Sequence, residues 1–371
     1  MNNVDIPAID ELLKLSEERG PASVSIYIPT NPVTQQSQSS KIELRNALAE
    51  VERKCRERGL TAQEITAVAA PLRALVDDEE FWRYQSKGLA VFATGSTLRT
   101  FRLGVDVVPE VVVNDRFRVG QLLQAVTFPQ QAYVLALSEK TARLIELGAG
   151  SPRTLDVDGL PPDRSVLAHT EVADKAAMPR PQGTTGGRIE QQKYCRLAQD
   201  AVLPIVSKNG SPLVLAAPEP IGPAYQAIST YAHFAHEVIE GNFDEASNDQ
   251  IAAKAEPILG HMRNAELERW RNDFAEFENQ GRATTDLAET ARAATYGAIE
   301  SLMIDPCAQV FGRLADEDGS VQFGEPETSG NYSLIDEIAA RVLHSSGRVL
   351  AVPSSDVPNG SPVAAILRYG I

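Results

Sequence analysis

Short apolar runs alternate with helix-length amphipathic segments from one end of this chain to the other, and that alternation restricts it to the α/β class. Ser23-Val24-Ser25-Ile26-Tyr27-Ile28-Pro29 has apolar residues at period two and stops at a proline, as a half-buried strand does. A short helix, Ile9 to Arg19, precedes it and ends at Gly20-Pro21. The polar run Thr30 to Ser40 reads as a flexible loop. Beyond it lie a helix with Leu44, Ala47, Leu48, Val51 and Cys55 on one face and a second from Ala62 to Val76. Gly88 to Ala93, Leu98 to Leu103 and Glu110 to Val113 read as strands, and the segment closes near Phe128-Pro129.

The pattern then restarts. Ala132 to Leu137 and Ala142 to Leu147 flank Ser138-Glu139-Lys140-Thr141, a hairpin signal. A long loop, Leu160 to Gly187, leads into a helix with Tyr194, Leu197, Ala198, Ala201 and Ile205 as its apolar face. Pro212 to Ala217 is continuous apolar sequence, consistent with a buried strand, and helices are expected over Ile221 to Ala235 and Asp249 to Glu278. After Gly281, Thr284 and Asp286 open a helix that carries Leu287, Ala291, Ala294, Ala298 and Leu302. Ala308 to Phe311 reads as a strand, and Ser333 with Asp336 forms a capping box at the start of another helix. Strands Arg348 to Val352 and Val363 to Arg368 close the chain. The expected division is three α/β domains: 1–128, 129–281 and 282–371, the last an α-β-α sandwich. A chain of 371 residues has the length for two or three.

Composition narrows the function. With 43% hydrophobic and 23% charged residues, the chain can build real cores. It has no run of about 18 apolar residues, so no transmembrane helix and no membrane partner are expected. Its first residues lack the basic start and apolar core of a secretory leader. Three cysteines (Cys55, Cys195 and Cys307) form no C-x-x-C pair, which points to the reducing cytoplasm and away from structural zinc. The formal net charge is −15, which argues against a generic nucleic-acid binder and against DNA as a partner. The charge is uneven, however. Arg164 to Lys208 holds seven Lys/Arg against four Asp/Glu, whereas His233 to Glu289 holds five against thirteen. One surface suited to an anion and one acidic face follow.

Gly183-Thr184-Thr185-Gly186-Gly187-Arg188 is the main functional candidate. Glycine loses the most backbone freedom on folding, so three in five residues mark positive φ or close approach of another molecule. The stretch follows Met178-Pro179-Arg180-Pro181-Gln182 and precedes a helix, whose amides and dipole favour an anion. It lacks the Walker and G-x-G-x-x-G patterns, and a flexible linker is its plain alternative. His233 and His236 fall three apart on the expected helix, but without an H-E-x-x-H pattern no metal site is expected. Neither a nucleophile elbow nor a cofactor motif is present, so no cofactor is expected.

Several phrases carry a family resemblance. Ser23 to Thr30, Ala69-Ala70-Pro71-Leu72 through Asp78-Glu79-Glu80-Phe81-Trp82, and Gly88 to Phe92 are three of them. Tyr133 to Ser138, Gly347-Arg348-Val349 and Ala364 to Tyr369 are the others. In these the chain resembles archaeal and eukaryotic class-one peptide chain release factors and Pelota, and is most similar to their bacterial branch, the bacterial archaeo-eukaryotic release factor family proteins. The resemblance implies a release-factor-like, decoding-like first domain and a ribonuclease-H-like middle domain without nuclease carboxylates. The third domain would share the fold of ribosomal proteins that bind RNA kink-turns. It also implies a cytoplasmic factor whose partners are the ribosome, its rRNA and a translational GTPase.

In release factors a Gly-Gly-Gln tripeptide positions water at the peptidyl ester. Here Gly186-Gly187 is followed by Arg188, which has donors and no acceptor, so catalytic residues are not expected. The Asn-Ile-Lys-Ser decoding signature is not found near Ser39-Ser40-Lys41-Ile42-Glu43. The resulting expectation is a ribosome-associated factor that binds the A site without catalysis, in rescue or hibernation. Arg180, Gly183, Gly186, Gly187, Arg188 and Lys193 would meet rRNA, and Lys41 and Arg45 the decoding region. The alternatives are a peptidyl-tRNA or RNA hydrolase using Gly186-Gly187, and an interaction scaffold using the acidic 233–289 stretch.

Overall fold

The alternation around Val24, Ile26 and Ile28 becomes the central strand of the first sheet. A computed structural model describes residues 5, 7–31, 37–129, 131–148, 151–165, 184–325 and 330–370. In it, helix α1 (Ile9–Glu17) leads into strand β1 (Arg19–Pro29), and helices α2 (Ser37–Glu57), α3 (Ala62–Asp77) and α4 (Glu79–Trp82) follow. Thr61 and Glu64 start α3 with a reciprocal capping box. Strands β2 (Gly88–Ala93), β3 (Leu98–Leu103) and β4 (Glu110–Arg116) complete an antiparallel sheet of order β3-β2-β1-β4. Val24, Ile26, Ile28, Leu89 and Val91 pack against α2 and α3 on one face. Tyr27, Ala90 and Phe92 point to the other, because successive side chains alternate across a strand. Helix α5 (Gly120–Thr127) ends the segment and was not anticipated from sequence.

The middle segment contains the expected hairpin, β5 (Ala132–Leu137) with β6 (Ala142–Leu147), and a short β7 (Arg153–Leu155). Helix α6 (Thr184–Val206), strand β8 (Leu213–Ala217), helix α7 (Ile221–Gln226), strand β9 (Phe234–Glu240) and the long α8 (Asn248–Asn279) follow. The sheet order is β7-β6-β5-β8-β9, with β5, β8 and β9 parallel and β6 antiparallel to β5. Neither β5 nor β8 carries a carboxylate. One face packs on α6 and α7 through Leu135, Leu215, Tyr194 and Tyr225, and the other on α8 through Val134, Val214 and Ile251.

The expected helix over Ile221 to Ala235 stops after Gln226, and β9 takes its place. Tertiary pairing beside β8 overrides the local pattern there. His236 therefore stands in a strand, with His233 just before it.

In the carboxy-terminal segment a two-residue strand β10 (Ala283–Thr284) precedes α9 (Leu287–Thr295), which ends well short of the expected Leu302. Leu302 lies instead in β11 (Ile299–Ile304). A small sheet of β12 (Phe311–Leu314), β13 (Val321–Phe323) and β14 (Tyr332–Ser333) precedes α10 (Leu334–His344), β15 (Arg348–Ala351) and β16 (Val363–Leu367). Ser333 caps α10 by accepting from the Asp336 amide. The main sheet, of order β10-β16-β11-β15, buries Met303, Leu350 and Ile366 against Trp270 and Phe274 of α8. It buries Leu302, Ile304 and Ala365 with α9 and α10 on its other face. An α-β-α arrangement is thus present, but one of its helix layers is α8, which precedes the expected 282–371.

Residues 1–128 and 267–371 form one compact unit, and residues 129–266 form another. The two terminal segments, anticipated as separate domains, share a single core: Tyr27, Phe92 and Leu122 cluster with Leu302, Leu334 and Ile338. At its heart Arg118, 3% exposed, donates from Nη1 to Asp336 Oδ1 at 2.7 Å and to the Ser333 hydroxyl. Its Nη2 donates to the carbonyls of Pro306 (3.2 Å) and Ala308 (3.1 Å). Asp336 also accepts from the amides of Val119 (2.8 Å) and Gly120 (3.3 Å), capping α5 from another helix. A Cβ at Gly120 would stand 2.7 Å from the Pro306 carbonyl oxygen, so only glycine fits there.

Removing one partner of a buried pair leaves the other charge uncompensated. Asp336→Ala is expected to lower the unfolding free energy by about 3–5 kcal/mol in urea titration, with Arg118→Met/Asp336→Leu recovering much of it. A loss below about 1 kcal/mol would show that the pair does not hold this unit together.

Candidate nucleic-acid interface

The amino-terminal end of α6 is held by its own buried face and by one arginine. Tyr194, Cys195, Ala198, Val202 and Val206 pack on the sheet. The Tyr194 hydroxyl donates to the Ser138 carbonyl at 2.9 Å, which fixes α6 to the β5–β6 turn. Burial pushes the Tyr194 phenol up and the Cys195 thiol up to about 12, so both are neutral packing groups. Arg164 completes the support. Its Nη1 donates to Glu139 Oε1 at 2.6 Å, while Nη2 donates to the Gly187 carbonyl at 3.4 Å and lies 3.6 Å from Glu190 Oε2. No role for Arg164 was read from sequence, because its partners are 23 to 26 residues away or sit in a hairpin turn.

The turn itself is braced by Asp244, which accepts from the hydroxyls of Ser138 (2.5 Å) and Thr141 (2.9 Å). The Ser138 hydrogen bond, with that of Thr141, holds the Asp244 carboxyl below its ordinary 3.8.

Thr184 to Arg188 form the first turn of α6, where a loop was expected. The first four N–H groups of a helix have no intrahelical acceptor, and they carry the positive end of its dipole. Gly187 is exposed, lies outside the positive-φ region, and a Cβ built on it meets nothing within 4 Å. Neither backbone strain nor packing within the chain demands glycine there. Arg188, Lys193 and Arg196 are exposed on the same helix, and Gly186 lies in its first turn. Arg180 and Gly183 lie outside the described residues. Leu197, read as part of the buried face, is 41% exposed, since the sheet takes the Tyr194–Ala198 edge of the helix.

Lys41 and Arg45, expected to meet the decoding region, are on α2. Lys41 donates to Glu79 Oε1 at 2.5 Å, so its charge is met within the chain, whereas Arg45 is exposed. His233 and His236 do not share a helix face, and His261 Nδ1 lies 3.1 Å from Glu237 Oε2. Among the described residues, no group of three or more His, Cys, Asp or Glu side chains is placed to hold a metal ion. Nor is any described helix long and apolar enough to cross a membrane.

Residues 129–265 match the profile of bacterial archaeo-eukaryotic release factor family 11, and the match begins and ends within one residue of the middle unit. No curated protein matches the chain. Among solved structures, Dom34 of S. cerevisiae, a translation termination-like factor interacting with Hbs1, is 14% identical. The alignment covers 74% of this chain and 74% of that chain at a TM-score of 0.45. A ribosome-bound archaeal Pelota is 12% identical over 99% of this chain and 96% of that chain, also at 0.45. The archaeal termination factor aRF1 is 16% identical over 98% and 99%, at 0.25.

Two outcomes test the geometry. Gly187→Ala is expected to stabilise α6 by about 0.5–1 kcal/mol, because alanine is the better helix former and its methyl has room. Slower amide exchange in the second turn of α6 would register it, and a faster rate would contradict it. The Asp244 carboxyl is depressed in the folded state, so its contribution is complete above pH 3.8 and is lost as pH falls through the lower folded value. Asp244→Asn should therefore flatten the acid limb of urea midpoints below pH about 4. An unchanged acid limb would contradict that role.

Proposed function

We propose that this chain, whose residues 129–265 match bacterial archaeo-eukaryotic release factor family 11, is a ribosome-associated translation factor that binds without catalysis. One observation carries this reading: Arg188 directly follows Gly186-Gly187 at the exposed amino-terminal end of α6. A guanidinium donates five hydrogen bonds and accepts none, so it grips phosphate and does not orient a nucleophilic water. The helix amides and dipole add to the same preference for an anion. Arg180, Gly183 and Lys193 join this contact, and Gly187 lets the helix backbone come close to rRNA.

In this proposal residues 1–128 act as the decoding-like domain, with Arg45 and Lys41 on α2 nearest the decoding region. Residues 129–281 present the tip, and 282–371 form the third domain. The site is the ribosomal A site, the occasion is rescue or hibernation, the compartment is the cytoplasm, and a translational GTPase is a further partner.

Co-sedimentation tests the proposal. The full chain should pellet with ribosomes at low salt and be released as salt rises, the logarithm of affinity falling by roughly 0.7–0.9 per neutralised phosphate per logarithm of salt. Arg188→Glu with Lys193→Glu should weaken pelleting and reduce the slope. Gly187→Ala should weaken it while leaving the fold intact. Absence of a ribosome-bound fraction at low salt would overturn the proposal. Release of labelled peptide from stalled ribosomes that Gly187→Ala abolishes would instead establish the hydrolase.

A further inference from the structure

A groove of about 400 Å³ runs between α2 and the outer edge of β4, the last strand of the order β3-β2-β1-β4. The ladder fixes which backbone groups that edge presents. The Thr30 amide donates to the Lys87 carbonyl, which continues the β1–β2 ladder beyond Ile28 and Leu89. Backbone groups point alternately to the two sides of a strand, so Ile28 and Ile26 bond β2, while Tyr27 and Ser25 bond Glu110 and Val112 of β4. Val111 lies between those two and turns its N–H and C=O away from β1. Among the described residues nothing accepts from the Val111 N–H. Its carbonyl is met only by a side chain, Lys54 Nζ at 2.7 Å. Further along, Arg58 Nη2 donates to Asn114 Oδ1 at 3.1 Å and Asn114 Nδ2 to the Asn331 carbonyl at 2.8 Å, so the open stretch is the start of β4.

This stretch is held in shape by its own contacts. Gln121 Oε1 accepts from the Val108 amide at 2.8 Å, and Gln121 Nε2 donates to the Val108 carbonyl at 3.0 Å and to Glu110 Oε2 at 3.1 Å. The floor of the groove is apolar, from Ile28, Ala47 and Val111. Its ionisable lining is Glu43, Glu50, Glu110 and Lys54. Lys54, the one lining cation, is spent on the Val111 carbonyl and on Glu50, 3.6 Å away. Glu50 is shared with Arg53, and Glu110 with Arg118. Glu43 differs. It stands exposed on the α2 rim, and among the described residues no cation lies within 4.0 Å of it.

We propose that this groove binds an extended basic segment of a partner protein, added antiparallel to β4 with a lysine or arginine beside Glu43. Unpaired main-chain groups on a strand edge are a template for another strand, and the wall of α2 beside them supplies contacts for its side chains. Charge selects the occupant. The groove keeps no free cation to receive a carboxylate or a phosphate, and a second copy of this chain would bring two sets of its glutamates together. In an antiparallel pair, opposite residues exchange both hydrogen bonds and share a face. Val111 packs towards α2, so the incoming residue opposite it carries its side chain to the α2 rim. Arg45 lies two residues from Glu43, about 200° round the helix, so the groove stands whether or not α2 meets the ribosome.

The test uses the full chain and a short, end-capped, fluorescein-labelled peptide alternating lysine and valine, read by fluorescence anisotropy. A peptide alternating glutamate and valine is the comparison. The lysine peptide should bind, and the glutamate peptide should not. Lysines that face Glu43 have amides that face β4, so N-methylation of the lysine amides should weaken binding by about tenfold or more, each methyl replacing a donor and standing against the edge. N-methylation of the valine amides, which face away from β4, should be tolerated. Glu43→Gln should weaken binding by about two- to fivefold, the worth of one exposed ion pair. Lys54→Ala removes the lining cation and uncovers the Val111 carbonyl, and should tighten binding. Four results would overturn the proposal: no binding of the lysine peptide, equal binding of the glutamate peptide, binding undiminished by lysine N-methylation, or weaker binding by Lys54→Ala. A dimer in sedimentation that the lysine peptide dissociates would assign the edge to a second copy, and the proposal likewise fails.

Discussion

The buried pairing of Arg118 with Asp336 is the constraint on which one whole unit depends. It joins residues 218 positions apart, and every polar group in it is satisfied: Arg118 by two carbonyls, Ser333 and Asp336, and Asp336 by two amides of α5 as well. The Tyr27 hydroxyl donates to the Arg118 carbonyl at 2.8 Å, and the Arg118 amide donates to Ser25 Oγ at 2.9 Å. The network thereby ties β1, the segment before α5, and the start of α10 into one arrangement. A buried ion pair adds little net stability over an apolar substitute, but it penalises every arrangement in which a partner is missing. That selectivity suits a core whose two halves come from opposite ends of the chain.

With the terminal segments so joined, the middle unit is an insertion in chain order, and it carries its own sheet and cores. Its support for the α6 tip is rigid and local. Tyr194 anchors the helix to the hairpin turn, Asp244 braces that turn, and Arg164 reaches from it to the Gly187 carbonyl. The glycine itself meets no internal need. In the proposed function its reason is the close approach of rRNA, since a Cβ there meets nothing inside the chain. In that reading Arg188 beside it adds to the preference of the helix start for phosphate.

Local signals in the sequence suffice where structure is decided locally. Strands β2, β3, β5 and β6 have the bounds that period and punctuation assign, and Ser333 caps α10, but the expected capping box is only half made, because the Asp336 carboxylate turns to Arg118 and α5. Errors arose where tertiary pairing decides. Residues 234–240 join the sheet beside β8 although the local pattern allows a helix, and Leu302 lies in a strand although it continues the spacing of α9. Leu197 shows the limit of periodicity, which identifies an apolar stripe but not how much of it the neighbouring sheet covers. Arg118 is a lone charge between Phe117 and Val119, where burial demands a partner. The partner, Asp336, was recognised only as a cap, because nothing local connects the two.

The central claim is that the α6 tip grips ribosomal RNA and leaves the peptidyl ester intact. Cryo-electron microscopy of stalled ribosomes carrying peptidyl-tRNA, incubated with the full chain, tests it most directly. The account predicts density for the amino-terminal end of α6 against rRNA, with Arg188 at a phosphate and the nascent peptide still attached to its tRNA. A bound chain whose α6 tip faces solvent, or a ribosome whose peptidyl-tRNA has been deacylated, would contradict it.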